Sequence, residues 1–328
     1  MNFKPLVTAL AVALSAGCAQ AQAVNLNLAG ASPGGLWSLV GVGLDRVAKA
    51  ADPASVVTYQ STGGGFANIG LLSSHRVDLG LAHDAEATVA LAGTAPFREP
   101  IENLRAIGYL YNWAPMHFFL DRGVAEQYGI DSLDDIATSG APLRIGINRP
   151  GNITSDLALF MLAEAGVTEE ALAANGGQLV RAGSSEQAEL MQDGRLDMIT
   201  NGIFVLHSSF RAVDENSDVV LLEVPEAVIE ATNAQYGTGR MIIPGGSYSN
   251  QPNDVASSAL GALLLTHDQL SDEVAHTITA ALIEHLDEMR AVHSSMGDLT
   301  VELLATPSVI PFHPGAAAAY REAGLLAE

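Results

Sequence analysis

The feature that most constrains this chain is a regular alternation of short apolar runs with stretches of helical spacing. Runs rich in Val, Leu and Ile recur at Asn25 to Ala29, Ser55 to Tyr59, Val77 to Ala82, Leu104 to Leu110, Leu143 to Ile147, Gln178 to Arg181 and Asp218 to Leu222. Each has the length of a strand. Between them lie patterns such as Leu39, Val42, Gly43, Val47, and later Leu157, Phe160, Met161, Glu164 with Gly166 as a stop, which read as helices. The alternation predicts an α/β fold with parallel sheets covered on both faces. At 328 residues the chain exceeds the roughly 250 to 300 residues at which one core stops growing, so two lobes are expected. No repeat and no Gly/Ser linker separates them, so strands must join them. Met116 to Leu120 and Ala259 to Thr266 read as the crossings, the second feeding a long helix from Asp272 to about His293. Lobe one is then 24–117 with 259–328, lobe two 118–258, and a cleft lies between them at the strand C-termini.

The first residues read as an address. Lys4 precedes an apolar stretch from Leu6 to Leu14, and Ala19-Gln20-Ala21 or Ala21-Gln22-Ala23 supplies a small-x-small cleavage site, the pattern of a secretory signal. The apolar run is too short to span a bilayer. We assign 1–23 to a signal peptide and expect a periplasmic mature chain. Cys18 stands where a lipoprotein signal would have it, but Ser15 replaces the usual branched aliphatic, so a lipid anchor is the less favoured alternative. Cleavage after Ala21 or Ala23 removes the only cysteine, and with it disulfides, thiolate chemistry and Cys-bound zinc. The net charge of -22 would repel a polyanion, which argues against nucleic acid as a partner.

Three glycine-rich turns carry the functional signal. Gly30-Ala31-Ser32-Pro33-Gly34-Gly35 precedes a helix that starts near Leu36. Gln60-Ser61-Thr62-Gly63-Gly64-Gly65 precedes one through Asn68 and Leu71. Asn148-Arg149-Pro150-Gly151-Asn152-Ile153-Thr154-Ser155 precedes one from about Thr154. A helix start offers unpaired N–H groups and about half a positive charge, and glycine lets a ligand approach the main chain, so each turn can seat an anion without a lysine. The plainer alternative is an ordinary strand-to-helix turn with Ser32, Thr62 and Thr154 as caps. The first turn also matches the Gly-x-Ser-x-Gly elbow of hydrolases. Pro33, however, follows the serine and has no N–H to give an oxyanion. No phosphate-binding glycine motif is present, so no nucleotide cofactor is indicated.

His83-Asp84-Ala85-Glu86 follows the third strand and should reach the cleft edge, where ligand contact or capping by Asp84 is preferred over metal binding because no further ligands have diagnostic spacing. Asn112 and Trp113 precede the first crossing as pocket wall or core plug. Asn201, Phe204 and His207 follow a strand at Leu196 to Thr200 and face the same choice.

Together with Gln60 to Gly64, Asn68, Val77-Asp78-Leu79-Gly80, Asn103 to Ala106, Tyr109-Leu110-Tyr111, Asp193 to Asp197, Ile243 to Tyr248, His313 to Ala316 and Tyr320 to Gly324, these segments resemble the TAXI group of solute-binding receptors of tripartite ATP-independent periplasmic (TRAP) transporters. The resemblance covers essentially the whole mature chain. It implies a type II periplasmic-binding-protein fold, with two α/β lobes joined by two crossover strands. It also implies capture of a dicarboxylate or amino-acid-like ligand for a membrane permease, with no enzymatic activity and no cofactor. The chain departs from the family pattern at Leu36-Trp37, where paired tyrosines are usual, at His83-Asp84, and at Asn148 to Asn152. Those departures fall where the ligand is chosen.

Hinge closure is the expected mechanism. Donors at Gly34, Gly35, Ser61, Thr62 and Gly63, with Trp37, His83, Asp84, Asn112 and Trp113 nearby, would take the ligand first. Asn152, Thr154, Ser155, Asn201, Phe204 and Arg149, the last through a charge-assisted hydrogen bond, would then close on it. A receptor serving a signalling partner would have the same sequence features, and an exported enzyme on this scaffold is a further alternative.

Overall fold

The computed structural model describes residues 23–327. The expected signal segment with Cys18 lies outside them apart from Ala23. Ten strands are present among the described residues: β1 (Asn25–Ala29), β2 (Val56–Gln60), β3 (Leu79–Ala82), β4 (Leu104–Asp121), β5 (Arg144–Ile147), β6 (Gln178–Arg181), β7 (Met198–Gly202), β8 (Val219–Leu221), β9 (Gly239–Ile243) and β10 (Val255–His267). They run in the order β2-β1-β3-β10-β4-β7-β5-β6, with β8 beside β4 and β9 beside β10. This is the mixed α/β architecture of the periplasmic binding proteins.

Parallel pairing holds where helices connect neighbours: β1 with β2 and β3, and β5 with β6 and β7. The two long strands break it. β10 is antiparallel to β3, β4 and β9, and β4 is antiparallel to β7 and β8, so the sheet is mixed where only parallel pairing was expected. The apolar runs Leu104 to Leu110 and Met116 to Leu120 belong to one 18-residue strand. Pro115 lies inside it, yet no ladder is lost. Pro115 is opposite Ala259 of β10, whereas Met116 is already opposite Gly202 of β7. A residue without an N–H therefore stands where the strand exchanges partners, and its carbonyl accepts from Ile203 N–H at 3.2 Å.

The Leu36–Ala51 helix buries Leu36, Trp37, Val40, Leu44 and Val47 against one face of the first half of the sheet. The Gly65–Ser73 and Asp84–Ala92 helices bury Ile69, Leu72, Ala87 and Ala90 on the other. The long C-terminal helix is shorter than its apolar spacing suggests. It spans Asp272–Glu284, bends at His285 (φ -117, ψ 33), and resumes over Leu286–Arg290. The bend brings Leu286 and Met289 into the core. β9 carries no apolar alternation strong enough to have been read in advance.

Candidate functional site

β1, β2 and β3 are parallel, so the turns that follow them leave the same edge of the sheet. The turns after β5, β6 and β7 share the corresponding edge of the other half. These two C-terminal edges face each other, the arrangement that makes a crevice in α/β proteins. A cavity of about 30 Å³ lies between them, lined by Ser32, Gly35, Trp37, His83 and Tyr111 from one half and by Asn148, Asn152, Thr154, Ser184 and Asn201 from the other. At about 10 to 15 Å³ per water this holds roughly two waters, so the halves are closed on each other. None of the lining side chains belongs to Lys, Arg, Asp or Glu.

Closure is tight at the glycine turns. Gly64 adopts φ +115, ψ -165, a region open essentially to glycine alone. A Cβ there would stand 2.6 Å from the Gly151 carbonyl oxygen and 2.7 Å from Asn152 Cβ across the crevice.

The polar walls on both sides are built from buried hydrogen bonds. In the first half, Trp37 Nε1–H donates to the Tyr111 hydroxyl at 2.8 Å, leaving the phenol proton available to a guest; burial pushes that hydroxyl's pKa upward, so it stays a donor. His83 is 3% exposed, its ring 5.0 Å from that of Trp37. Its Nδ1 meets the Gly261 carbonyl, an acceptor only, so Nδ1 carries the proton and Nε2 keeps a lone pair. Burial holds the ring down to about 4, so it is neutral at pH 7. In the second half, Asn148 Nδ2 donates to Thr154 Oγ1, Thr154 Oγ1 to Asn152 Oδ1, and Asn201 Nδ2 to Ser184 Oγ at 2.7 Å. The Ser184 proton remains for a guest.

Of the residues singled out from sequence, Gly35, Trp37, His83, Asn152, Thr154 and Asn201 line this cavity. The others do not. Gly34 and Gly63 sit in turns pressed against Ser185 and Gly151. Ser61 donates to Ala31 O, and the single Thr62 hydroxyl proton is shared between Gly30 O and Asn68 Oδ1, 2.7 and 2.6 Å from Thr62 Oγ1. Ser155 is buried with its N–H on Asn152 O, and Phe204 is a core ring edge-on to Tyr111. Asp84, Asn112 and Trp113 line an adjoining cavity of about 500 Å³ that shares His83 with the first, where Asp84 accepts from the Tyr109 hydroxyl. The cap of that helix is His83 rather than Asp84. Likewise the caps of the three turn helices are Gly35, Gly64 and Asn152, not Ser32, Thr62 and Thr154.

Arg149 does not line the cavity. Its guanidinium turns to the surface and pairs with Glu186 at 2.6 Å, the two side chains 54% and 49% exposed. Glu186 stands in the first turn of the helix after β6. Exposed pairs contribute about 0 to 1 kcal/mol, so Arg149→Ala is expected to shift the urea unfolding free energy by less than about 1 kcal/mol and to leave calorimetric affinity unchanged.

No sequence pattern noted above singles out Tyr111 or Ser184 as a site residue. Ser184 could have been found: Gly183-Ser184-Ser185 after β6 repeats the strand-turn-helix pattern with a single glycine. The described residues contain one grouping with metal-ligand proximity, His75, His267 and Asp268, whose ligand atoms lie within 4.8 Å of one another at the other end of β3 and β10. His267 Nδ1 accepts from Gln269 N–H there, which places the ring proton on the second nitrogen and leaves that nitrogen no lone pair for a metal.

Fold and crevice together define the class: a periplasmic-binding-protein fold closed on a small polar cavity. Residues 28–324 match the NMT1-like family, and the chain belongs to it. Similar solved structures include PhnD1 from Prochlorococcus marinus in complex with methylphosphonate (TM-score 0.55, 10% identity, 92% of this chain and 99% of that one). MatC from Rhodopseudomonas palustris with bound malate is also similar (0.53, 13%, 84% and 88%), as is R. palustris Rpa4515 with adipate (0.53, 13%, 92% and 93%). No helix among the described residues is long and apolar enough to cross a membrane.

Proposed function

We propose that this chain is a periplasmic solute-binding protein that captures a small organic anion and delivers it to a TRAP-type permease. In this reading residues 24–117 with 259–328 and residues 118–258 move as lobes about the two long strands, near Met116 and Ala259. The observation that carries the proposal is the cavity between the two C-terminal sheet edges, walled from both halves by uncharged donors and by the starts of the Leu36–Ala51 and Ser184–Gln192 helices. Helix starts favour negative charge, and they do so without a cation in the wall. Malate, adipate and methylphosphonate, bound by proteins of the same fold, are small acids of the matching kind. No nucleic acid or cofactor enters this reading.

A thermal-shift screen of organic acids tests it, since a ligand at 100 times its Kd adds about 2.7 kcal/mol. For the acid giving the largest shift, Tyr111→Phe is expected to cost about 1 to 1.5 kcal/mol of binding, near tenfold in Kd. An unchanged calorimetric Kd removes the phenol from the site.

A further inference from the structure

One helix start at the crevice is already occupied by the protein itself. The Ile153–Glu164 helix begins with Asn152 and Thr154 facing the cavity, yet its first N–H groups all have acceptors. Ile153 N–H donates to Glu86 Oε1 at 2.9 Å, Thr154 N–H to Asn152 Oδ1 at 3.0 Å, and Ser155 N–H to Asn152 O at 3.0 Å. Glu86 comes from the opposite half, is fully buried, and takes His83 N–H on its second oxygen at 2.9 Å. Gly65 makes the room: any Cβ at that position would collide with Glu86 Oε2. A carboxyl group of the chain thus bridges the two halves in the way that the second acid group of a dicarboxylate would.

Resting on the reading of the cavity as an organic-anion site, we propose that Glu86 stands in for one acid group of a bridging ligand, so that the site takes small monocarboxylates in preference to dicarboxylates. One anion seat is left, at the starts of the Leu36–Ala51 and Ser184–Gln192 helices, beside the Tyr111 and Ser184 hydroxyl protons. The second acid group of a dicarboxylate would find the Ile153 N–H taken and would have to be buried without a donor, which is costly.

Isothermal titration of the mature wild-type chain with butyrate and succinate, and with propionate and malonate, tests the proposal at matched carbon number. The monocarboxylate of each pair is expected to bind at least about tenfold more tightly. Glu86→Ala, which frees the Ile153 N–H, is expected to narrow or reverse that ratio, whereas Glu86→Gln, which keeps an acceptor there, retains it. Acetate and formate should also raise the melting temperature of Glu86→Ala more than that of wild type, by refilling the vacated seat. If succinate and malonate bind wild type as well as their partners do, the proposal is overturned and the anion reading stands. If no acid of either kind binds, both fall. Should Glu86→Ala fail to fold, the wild-type pairs decide alone.

Discussion

Replacing Glu86 by alanine is expected to lower the free energy of unfolding by about 2 to 6 kcal/mol, because two buried donors lose their acceptor at about 1 to 3 kcal/mol each. The donors are His83 N–H and Ile153 N–H, each 2.9 Å from a carboxyl oxygen. Glu86 lies at the third position of the Asp84–Ala92 helix, where it closes its own helix start and that of the Ile153–Glu164 helix with one group. A domain of this kind has only about 5 to 15 kcal/mol in total, so the variant stands near the edge of folding. Urea denaturation followed by circular dichroism measures the loss. A change smaller than about 1 kcal/mol would mean that water replaces the carboxyl at both donors.

Acid should weaken the protein well before its carboxylates are neutralised. His83, His117 and His207 are each held down to about 4, burial being the main cause in every case. Their unfolded value is about 6.5. Between those limits the unfolded chain binds more protons than the folded one, so stability falls as pH drops from 6.5 towards 4. The contribution is complete above 6.5. Glu86 works the other way. Burial pushes it up to about 8, so its share is fully present below its unfolded value of about 4.5 and is lost as pH rises towards 8. It offsets one histidine of three. The three histidines outweigh the one carboxyl near pH 5, so stability still falls with acid there, with the maximum near neutrality. Urea midpoints at pH 7 and pH 5 check this, and an equal or higher midpoint at pH 5 would refute it.

Much of the fold was legible because strand and helix periods are local. β1 and β6 fall where the apolar runs place them, and most other strands are displaced by one or two residues. Partner exchange along β4 was not legible, since a run of apolar residues does not say which neighbour it faces on either side of Pro115. The turns after β1 and β5 contribute Gly35, Asn152 and Thr154 to the cavity for the reason given by their sequence, a strand end followed by a helix start. The turn after β2 contributes none, because Thr62 is tied to Gly30 and Asn68 of its own half and Gly64 is pressed against Gly151 and Asn152 of the other. Side-chain direction lies beyond any such pattern. Arg149 and Glu186 are 37 residues apart and find each other at the surface. Glu86 and Ile153 are 67 apart and meet in the interior. In both cases a long-range partner decided what a locally plausible residue does.

The exchange of partners at Pro115 has a consequence for how this architecture can be divided. Because a single unbroken strand belongs to both halves, neither half is a detachable module. A fragment ending near residue 121 would expose Met116 to Leu120 as a bare apolar edge, open to strand pairing with another copy of itself. Gene fusions, truncations and circular permutants of this fold should therefore open the chain at surface turns and leave the shared strand whole.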